Sequence, residues 1–218
     1  MLVKTFGSAV HGVDAITITV EVNIGQGVNF LLVGLPDSAV KESQQRIDAA
    51  LKNNGYKIPG KKVVINMAPA DIRKEGSAYD LTLAVGILAA SEQIKGEKVG
   101  EFVIMGELSL DGGLQPMKGA LPIAIQAKKE GFRGLILPKQ NAREAAIVSD
   151  LEVYGIENIK EVIDFFNKVR DIAKKLDLEK SGYRLITNSG SDGSQTVAHF
   201  HVHILGGKQL GGLLPDDF

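Results

Sequence analysis

Residues 15–22 alternate apolar and polar side chains, and this alternation restricts the fold more than any other feature of the chain. The apolar positions are Ile16, Ile18, Val20 and Val22, and the polar positions between them are Thr17, Thr19 and Glu21. Successive side chains of a β-strand point to opposite faces of a sheet, so the pattern predicts a half-buried strand. The chain therefore contains a sheet, and we expect residues 30–33 to form the partner of this strand.

Short apolar segments and longer amphipathic segments follow one another through the first 167 residues. Further strands are predicted at residues 63–67, 102–105, 135–137 and 151–154, and helices at residues 78–91, 120–130, 142–149 and from 159 onward. Another helix follows Pro36, with Asp37 as its cap and Gly55 as its stop. Its buried face is predicted to carry Val40, Ile47, Ala50 and Leu51. This order predicts an α/β (α+β) domain with helices on a mixed sheet.

The charges of the chain nearly cancel. There are 25 Lys and Arg residues against 26 Asp and Glu residues, a formal net charge of -1. No whole-chain field therefore favours nucleic acid or an acidic membrane surface. One group of basic residues is a candidate phosphate-binding patch: Lys128, Lys129, Arg133, Lys139 and Arg143. We interpret it instead as a solvated helix face balanced by Glu130 and Glu144.

The absence of cysteine and of long apolar segments indicates the cellular compartment in which we expect the protein. Without cysteine the chain forms no disulfide and uses no thiol in catalysis, which fits a reducing cytoplasm. The N-terminus has no apolar signal region, and the longest apolar run, residues 81–90, is about half the length that spans a bilayer. We expect a cytoplasmic protein without a membrane anchor.

Three of the four histidines lie within five residues. His199, His201 and His203 alternate with Phe200 and Val202, so on a strand the three imidazoles would share one face. Histidine serves as nucleophile, acid, base or metal ligand. Without cysteine, and with the nearest carboxylate across a turn, a metal site is disfavoured, and we expect neither a metal nor a cofactor.

The histidine run, with residues 182–188, 190–193 and 195–197 upstream, resembles the triad segment of the HIT/Hint nucleotide-hydrolase family. The resemblance implies that His201 attacks the α-phosphorus of a purine nucleoside phosphoramidate or related ester, while His199 and His203 orient and polarise it. The same resemblance implies that Asn188, Gln195 and Thr196 contact the phosphate and the leaving group. The glycines between residues 189 and 194 allow backbone N–H groups to converge on an anion.

The resemblance to the HIT family covers about residues 168–212, which correspond to the C-terminal half of that family's domain. It implies one helix followed by two strands, and the family's base and ribose pocket has no counterpart upstream. We therefore expect weak nucleotide binding at most, with any further pocket wall supplied by a partner subunit in a homo-oligomer.

The first 167 residues contain several short sequence motifs typical of another family. They are residues 33–37, 40–43, 66–71, 74–81, 106–112 and 137–139. Together they resemble the N-terminal domain of ComM-type proteins, magnesium-chelatase-like members of the AAA+ ATPases. The resemblance implies a Lon-protease-like sandwich of mixed sheet and helices, preceding an ATPase motor that acts on branched DNA. This sequence contains no Gly-x-x-x-x-Gly-Lys-Ser/Thr, so we expect no ATPase activity and contact with DNA only through an ATPase partner.

A Lon-like fold raises the question of a serine–lysine peptidase. Aligned on that motif, Ala78 occupies the nucleophile position and Leu121 the lysine position, so we expect no peptidase activity. Ser77 is predicted to form a capping box with Asp80. A displaced dyad of Ser77 and Lys118 is the less favoured alternative.

These observations predict two parts, a ComM-like domain at residues 1–167 and a partial HIT segment at residues 168–218. We favour a non-catalytic assembly or partner-binding domain of a ComM-type DNA-processing ATPase, with the triad segment as added structure. The alternative is a HIT-type nucleotide hydrolase or transferase. The origin of the junction stays open between a natural fusion, a rearrangement and an engineered chimera.

Overall fold

The computed structural model describes residues 1–178, 180–186 and 202–209, without the side chains of residues 168–171. It divides into two compact units, Met1–Phe166 and Asn167–Phe218. The strands are β1 (Leu2–His11), β2 (Asp14–Gly25), β3 (Phe30–Val33), β4 (Lys62–Ala68), β5 (Phe102–Ile104), β6 (Glu107–Leu108), β7 (Leu114–Gln115), β8 (Gly134–Pro138), β9 (Glu152–Ile156), β10 (Tyr183–Ile186) and β11 (His203–Gly206). The α-helices are α1 (Ser38–Asn53), α2 (Asp80–Ala90), α3 (Ala120–Lys129), α4 (Lys139–Ala145) and α5 (Ile159–Lys175), and 3-10 helices lie at Ser77–Tyr79 and Val99–Glu101.

A seven-stranded mixed sheet organises the first unit, in the order β3-β4-β2-β1-β5-β8-β9. Strands β1 and β4 flank β2 and are antiparallel to it. Strand β3 runs parallel to β4, and β1, β5, β8 and β9 run parallel to one another. The predicted mixed α/β fold class is confirmed. The predicted pairing of Phe30–Val33 with β2 is wrong, because β1 and β4 occupy both edges of β2 and Phe30–Val33 pairs with β4.

Helix α2 forms the centre of the core and packs against β1 and β2. Every residue of α2 is buried, which explains its apolar sequence on all sides. Gly86 allows this close packing, since a Cβ there would lie 2.7 Å from the Val22 side chain. No helix among the described residues is long and apolar enough to span a bilayer.

The other helices lie close to their predicted positions, except for one that is shifted along the sequence. The Asp37 side chain accepts a hydrogen bond from the Val40 N–H at 2.8 Å and caps α1, whose predicted apolar face is buried. The helix predicted at residues 142–149 instead spans Lys139–Ala145. It begins directly after Pro138, which ends β8 and precedes the first helical turn.

The second unit contains the antiparallel pair β10–β11, with Ile186 opposite His203. Ala173, Leu178 and Leu185 are its buried apolar side chains among the described residues. The helix and two strands expected for this part of the chain are thus present.

Candidate binding site

A cleft of about 180 Å³ lies at the C-terminal end of β1. Its lining consists of Ser8, Ala9, Val10, His11, Arg73, Glu75, Ala78, Tyr79, Met105, Met117, Lys118 and Ile123. Liquid water occupies about 30 Å³ per molecule, so the cleft holds roughly six waters or one side chain, whereas drug-sized ligands occupy roughly 300–1,000 Å³. A ligand of this cleft therefore inserts a side chain or a chain end.

One wall of the cleft is a strand edge. Strand β5 pairs with β1 only at Phe6, opposite Val103. Further along, the Ser8 N–H donates to the Met105 thioether at 3.2 Å, on the side away from β2. Because alternate residues of a strand direct their peptide groups to the same edge, Val10 presents its N–H and C=O on this side. On the side away from β2, no described strand pairs with β1 at Val10.

Charged side chains form the rim of the cleft. Arg73 Nε lies 3.1 Å from Glu75 Oε1, and both side chains are about two-thirds exposed, at 66% and 64%. Lys118 and His11 also line the cleft. Two permanent cations and a histidine therefore face one carboxylate, and the rim favours an anionic ligand.

Lys74 separates the two outward side chains of the rim and points inward. It is fully buried, and its ammonium group donates to the Pro69 carbonyl. Its backbone N–H donates to the Leu35 carbonyl at 3.2 Å, and its carbonyl accepts from the Asp37 N–H at 3.0 Å. Burial lowers the pKa of the Lys74 ammonium group. These contacts fix the loop so that Arg73 and Glu75 face the cleft.

The Asp37 carboxylate ties the end of this loop to α1. One oxygen caps the helix, and the other accepts from the Gly76 N–H at 3.0 Å. Gly76 has φ +82°, in the left-handed region that favours glycine. The rim loop is thus anchored at both ends by atoms outside the cleft.

A second group of polar side chains, here called the inner cluster, consists of Arg46, Ser77, Asp80 and Glu107. Arg46 donates to both carboxylate oxygens of Asp80, at 2.6 and 2.9 Å, and the Leu108 N–H donates to the same carboxylate at 3.2 Å. Burial raises the pKa of the Asp80 carboxyl, and the Arg46 guanidinium offsets part of that effect. The Ser77 hydroxyl donates to Glu107.

The predicted peptidase positions do not form a dyad. Ala78 and Lys118 both line the cleft, so the nucleophile position carries a methyl group. Ser77 is not part of the lining, and in the described structure no hydrogen bond joins it to Lys118. Leu121, at the expected lysine position, also lies outside the lining, and its N–H donates to Glu144 at 3.0 Å.

The predicted capping box of Ser77 and Asp80 is wrong. Neither the 3-10 helix at Ser77–Tyr79 nor α2 has a side-chain cap, because both side chains are engaged in the inner cluster. Arg46, which sequence reasoning missed, is the competing partner of Asp80. It lies one helix earlier, and no local spacing rule connects the two residues.

Five of the six predicted triad and phosphate-contact residues lie outside the described residues: Asn188, Gln195, Thr196, His199 and the predicted nucleophile His201. His203 is described, and it is the exposed first residue of β11. Across the described ranges, no three His, Cys, Asp or Glu side chains are placed to hold a metal ion.

Most of the basic residues singled out in the sequence form ion pairs. Lys128 pairs with Asp150 at 3.2 Å, Arg133 with Glu101 and Glu152 at 3.3 and 3.0 Å, and Lys139 with Glu157 at 3.0 Å. These partners differ from the expected Glu130 and Glu144. The pairing favours the interpretation as a solvated, charge-balanced face over a phosphate-binding patch.

Comparison with known proteins adds two family matches. The model of subunit ChlI of Mg-chelatase matches residues 20–141, and the HIT domain model matches residues 123–210, so the two ranges overlap over residues 123–141. The competence protein ComM of Haemophilus influenzae is 42% identical over 167 residues, which are 76% of this chain and 33% of that protein. The protein YifB of Escherichia coli is 46% identical over 142 residues, 65% of this chain and 28% of that protein. A HIT-like protein of Rickettsia prowazekii is 54% identical over 57 residues, 26% of this chain and 48% of its own length.

The fold and these matches define a mixed α/β protein that combines a magnesium-chelatase-like domain with a HIT-like segment. The chain belongs to the family of subunit ChlI of Mg-chelatase, whose model covers more than half of it. ComM and YifB are its relatives, and the chain spans a third or less of their length.

Proposed function

We propose that the first 167 residues form a non-catalytic domain through which a ComM-type protein binds a partner or assembles. The observation that carries the proposal is the cleft itself, where Lys118 shares the lining with the methyl group of Ala78 and with no free serine nucleophile. A hydroxyl nucleophile needs a base within hydrogen-bond reach. The Ser8 hydroxyl donates instead to the Ile16 carbonyl, and the Ser77 hydroxyl to Glu107. The cleft is thus equipped to bind a ligand and not to cleave it.

The similarity to ComM supports a role beside an ATPase motor. In this proposal the domain contacts DNA only through such an ATPase partner, since its prominent cations are paired with carboxylates. Assembly through copies of the chain itself is part of the same proposal. We place the protein in the cytoplasm, which its lack of cysteine fits.

Turnover assays on the full chain test this proposal. Hydrolysis of ATP and of fluorescently labelled casein is expected to stay at the buffer background. Casein turnover that Ser77→Ala abolishes would contradict the proposal, because it would show that a displaced dyad works. Gly76→Ala is not a suitable control, since it strains the loop, so Ser91→Ala on the far end of α2 serves instead.

A second proposal concerns the HIT-like segment. The HIT domain match and the exposed position of His203 on β11 support chemistry at the histidine run. In this proposal His201 is the nucleophile, His199 and His203 assist it, and a purine nucleotide binds weakly through its phosphate.

Mass spectrometry after incubation with adenosine phosphoramidate tests the second proposal. A nucleotidyl adduct is expected on His201 and is lost in His201→Ala, while His11→Ala, the one histidine outside the run, retains it. Adenosine monophosphate is expected to bind with a Kd on the order of millimolar, as for phosphate contacts without a base pocket. An adduct at another residue would overturn the assignment of His201.

A further inference from the structure

The strand edge in the cleft offers hydrogen-bonding groups to a ligand. Val10 lies beyond the single point at which β5 pairs with β1, so its N–H and C=O face the cleft and not a neighbouring described strand. An extended peptide bonds to such an edge through its own backbone. The thioether of Met105, which accepts from the Ser8 N–H, is a weaker acceptor than a carbonyl, and a peptide carbonyl competes with it readily.

The surroundings of this edge match a peptide in polarity. The hairpin that joins β1 and β2 exposes Val10 and Val13, at 36% and 86%, as apolar contacts beside the cleft. The cations Arg73 and Lys118 line the same cleft. A strand edge flanked by an apolar tip and by cations suits an extended segment that carries a carboxylate.

On these grounds, and resting on the proposed function of the domain as a binding module, we propose that the cleft binds an extended peptide as an added strand along β1, with a peptide carboxylate paired to Arg73 and Lys118. The carboxylate comes from an acidic side chain or from the C-terminus of the peptide. The volume of about 180 Å³ fits one such inserted group.

The buried anchor of the rim loop supports a preorganised site. Lys74 holds the backbone against Leu35 and Asp37, so Arg73 is presented to the cleft before a ligand arrives. Preorganisation lowers the ordering cost of binding. Glu75 pairs with Arg73 in the absence of ligand, and a peptide carboxylate replaces this exposed pair at small cost.

The same lining disfavours single-stranded nucleic acid. Stacking of bases requires an exposed aromatic ring, and Tyr79, the aromatic residue of the lining, is only 2% exposed. The cleft is also smaller than a nucleotide-sized pocket. Charge alone would allow a phosphate, so an oligonucleotide belongs in the test.

Fluorescence anisotropy with the full chain and a labelled peptide tests the proposal. The probe is a short peptide of alternating valine and threonine that ends in glutamate with a free carboxyl group. We expect a Kd on the order of 100 µM, as for a short strand with one charged anchor. Methylation of alternate backbone nitrogens of the peptide is expected to weaken binding about tenfold, because it removes the edge hydrogen bonds and leaves the protein unchanged.

The source of the carboxylate follows from two further peptides. Amidation of the C-terminus and replacement of the glutamate by glutamine each remove one carboxylate, and the larger loss identifies the one that pairs with the rim. Arg73→Gln and Lys118→Gln are each expected to weaken binding about threefold, the size of an exposed charge pair. Lys129→Gln, an exposed lysine outside the cleft, is the matched control and leaves binding unchanged.

Three results would overturn the proposal. They are equal affinity of the N-methylated and parent peptides, tighter binding of an oligothymidylate than of the peptide, and no detectable peptide binding by the wild type. In each case an absence of casein and ATP turnover leaves the proposed function standing. Turnover that depends on Ser77 contradicts the proposed function instead, so the two failures are distinguishable.

Discussion

Two arginine–carboxylate pairs of this domain have opposite surroundings. In the inner cluster, Arg46 contacts Asp80, and their side chains are 20% and 1% exposed. At the cleft rim, Arg73 contacts Glu75, and both side chains are largely exposed. The inner pair connects α1 to the start of α2, whereas the rim pair connects residues of one loop.

The difference indicates which pair serves the fold and which serves binding. A buried pair cannot lose one partner without leaving a desolvated charge behind. An exposed pair contributes little to stability and exchanges its partner for a ligand with ease. Similar chemical groups thus have different roles because their solvation differs.

The largest effect is expected from Arg46→Ala. The change leaves the Asp80 carboxylate buried with only the Leu108 N–H as a donor, so the free energy of unfolding falls by about 3 kcal/mol or more. Urea unfolding followed by circular dichroism measures it, with Arg73→Ala as the control. A loss below about 1 kcal/mol would break the distinction between the two pairs.

Ser77→Ala removes one hydrogen bond of the inner cluster, from the Ser77 hydroxyl to Glu107. We expect the unfolding free energy to fall by about 1 kcal/mol, the typical net contribution of one hydrogen bond. Peptide binding at the cleft should be unchanged, since Ser77 is not part of its lining. A loss of binding without a loss of stability would move Ser77 from the inner cluster to the cleft.

Lys74→Met is expected to change how stability depends on pH. Burial lowers the pKa of Lys74 below its usual value of 10.5, so between the lowered pKa and 10.5 the unfolded chain binds more protons than the folded one. Wild-type stability therefore rises with pH in this window, and the variant lacks this contribution. Unfolding free energies of the two proteins, measured from neutral to alkaline pH, give the difference. A difference that stays constant with pH would contradict the burial of a charged ammonium.

The smallest effect on stability is expected from Arg73→Gln. Its pair with Glu75 is exposed, so the unfolding free energy should change by less than about 0.5 kcal/mol. Affinity for the acidic peptide should nevertheless fall. If stability drops as much as in Arg46→Ala, the rim is structural and the comparison fails.

Much of the fold followed from local sequence signals. The alternation at residues 15–22 and the cap at Asp37 both lead to the observed elements, since each depends on neighbouring residues only. Strand β1 escaped prediction because its core face carries Thr5 and Gly7 where α2 packs closely. The Thr5 hydroxyl donates to the Thr82 carbonyl at 3.1 Å, and a Cβ at Gly7 would lie 3.2 Å from Tyr79. A buried face of small and polar residues shows no hydrophobic periodicity from which a strand could be predicted.

The candidate site was predictable only in part. Ala78 was identified from the aligned peptidase motif and Lys118 from the alternative of a displaced dyad, and both line the cleft, whereas the aligned Leu121 does not. His11, Arg73 and Glu75 were not identified, because they converge through contacts between distant segments. The buried Lys74 directs its neighbours outward, and a lysine in a charged tripeptide is ordinarily expected on the surface.

We propose that the domain binds a peptide without cleaving it, and recovery of the peptide after an equilibrium titration tests both parts of this proposal. The free-acid peptide is titrated with wild-type protein to saturation and incubated for hours. The mass of the recovered peptide is then measured by mass spectrometry. We expect saturable binding that Lys118→Gln weakens, and we expect the recovered peptide to be intact. A shortened peptide, or a wild-type protein that binds no peptide, would contradict it.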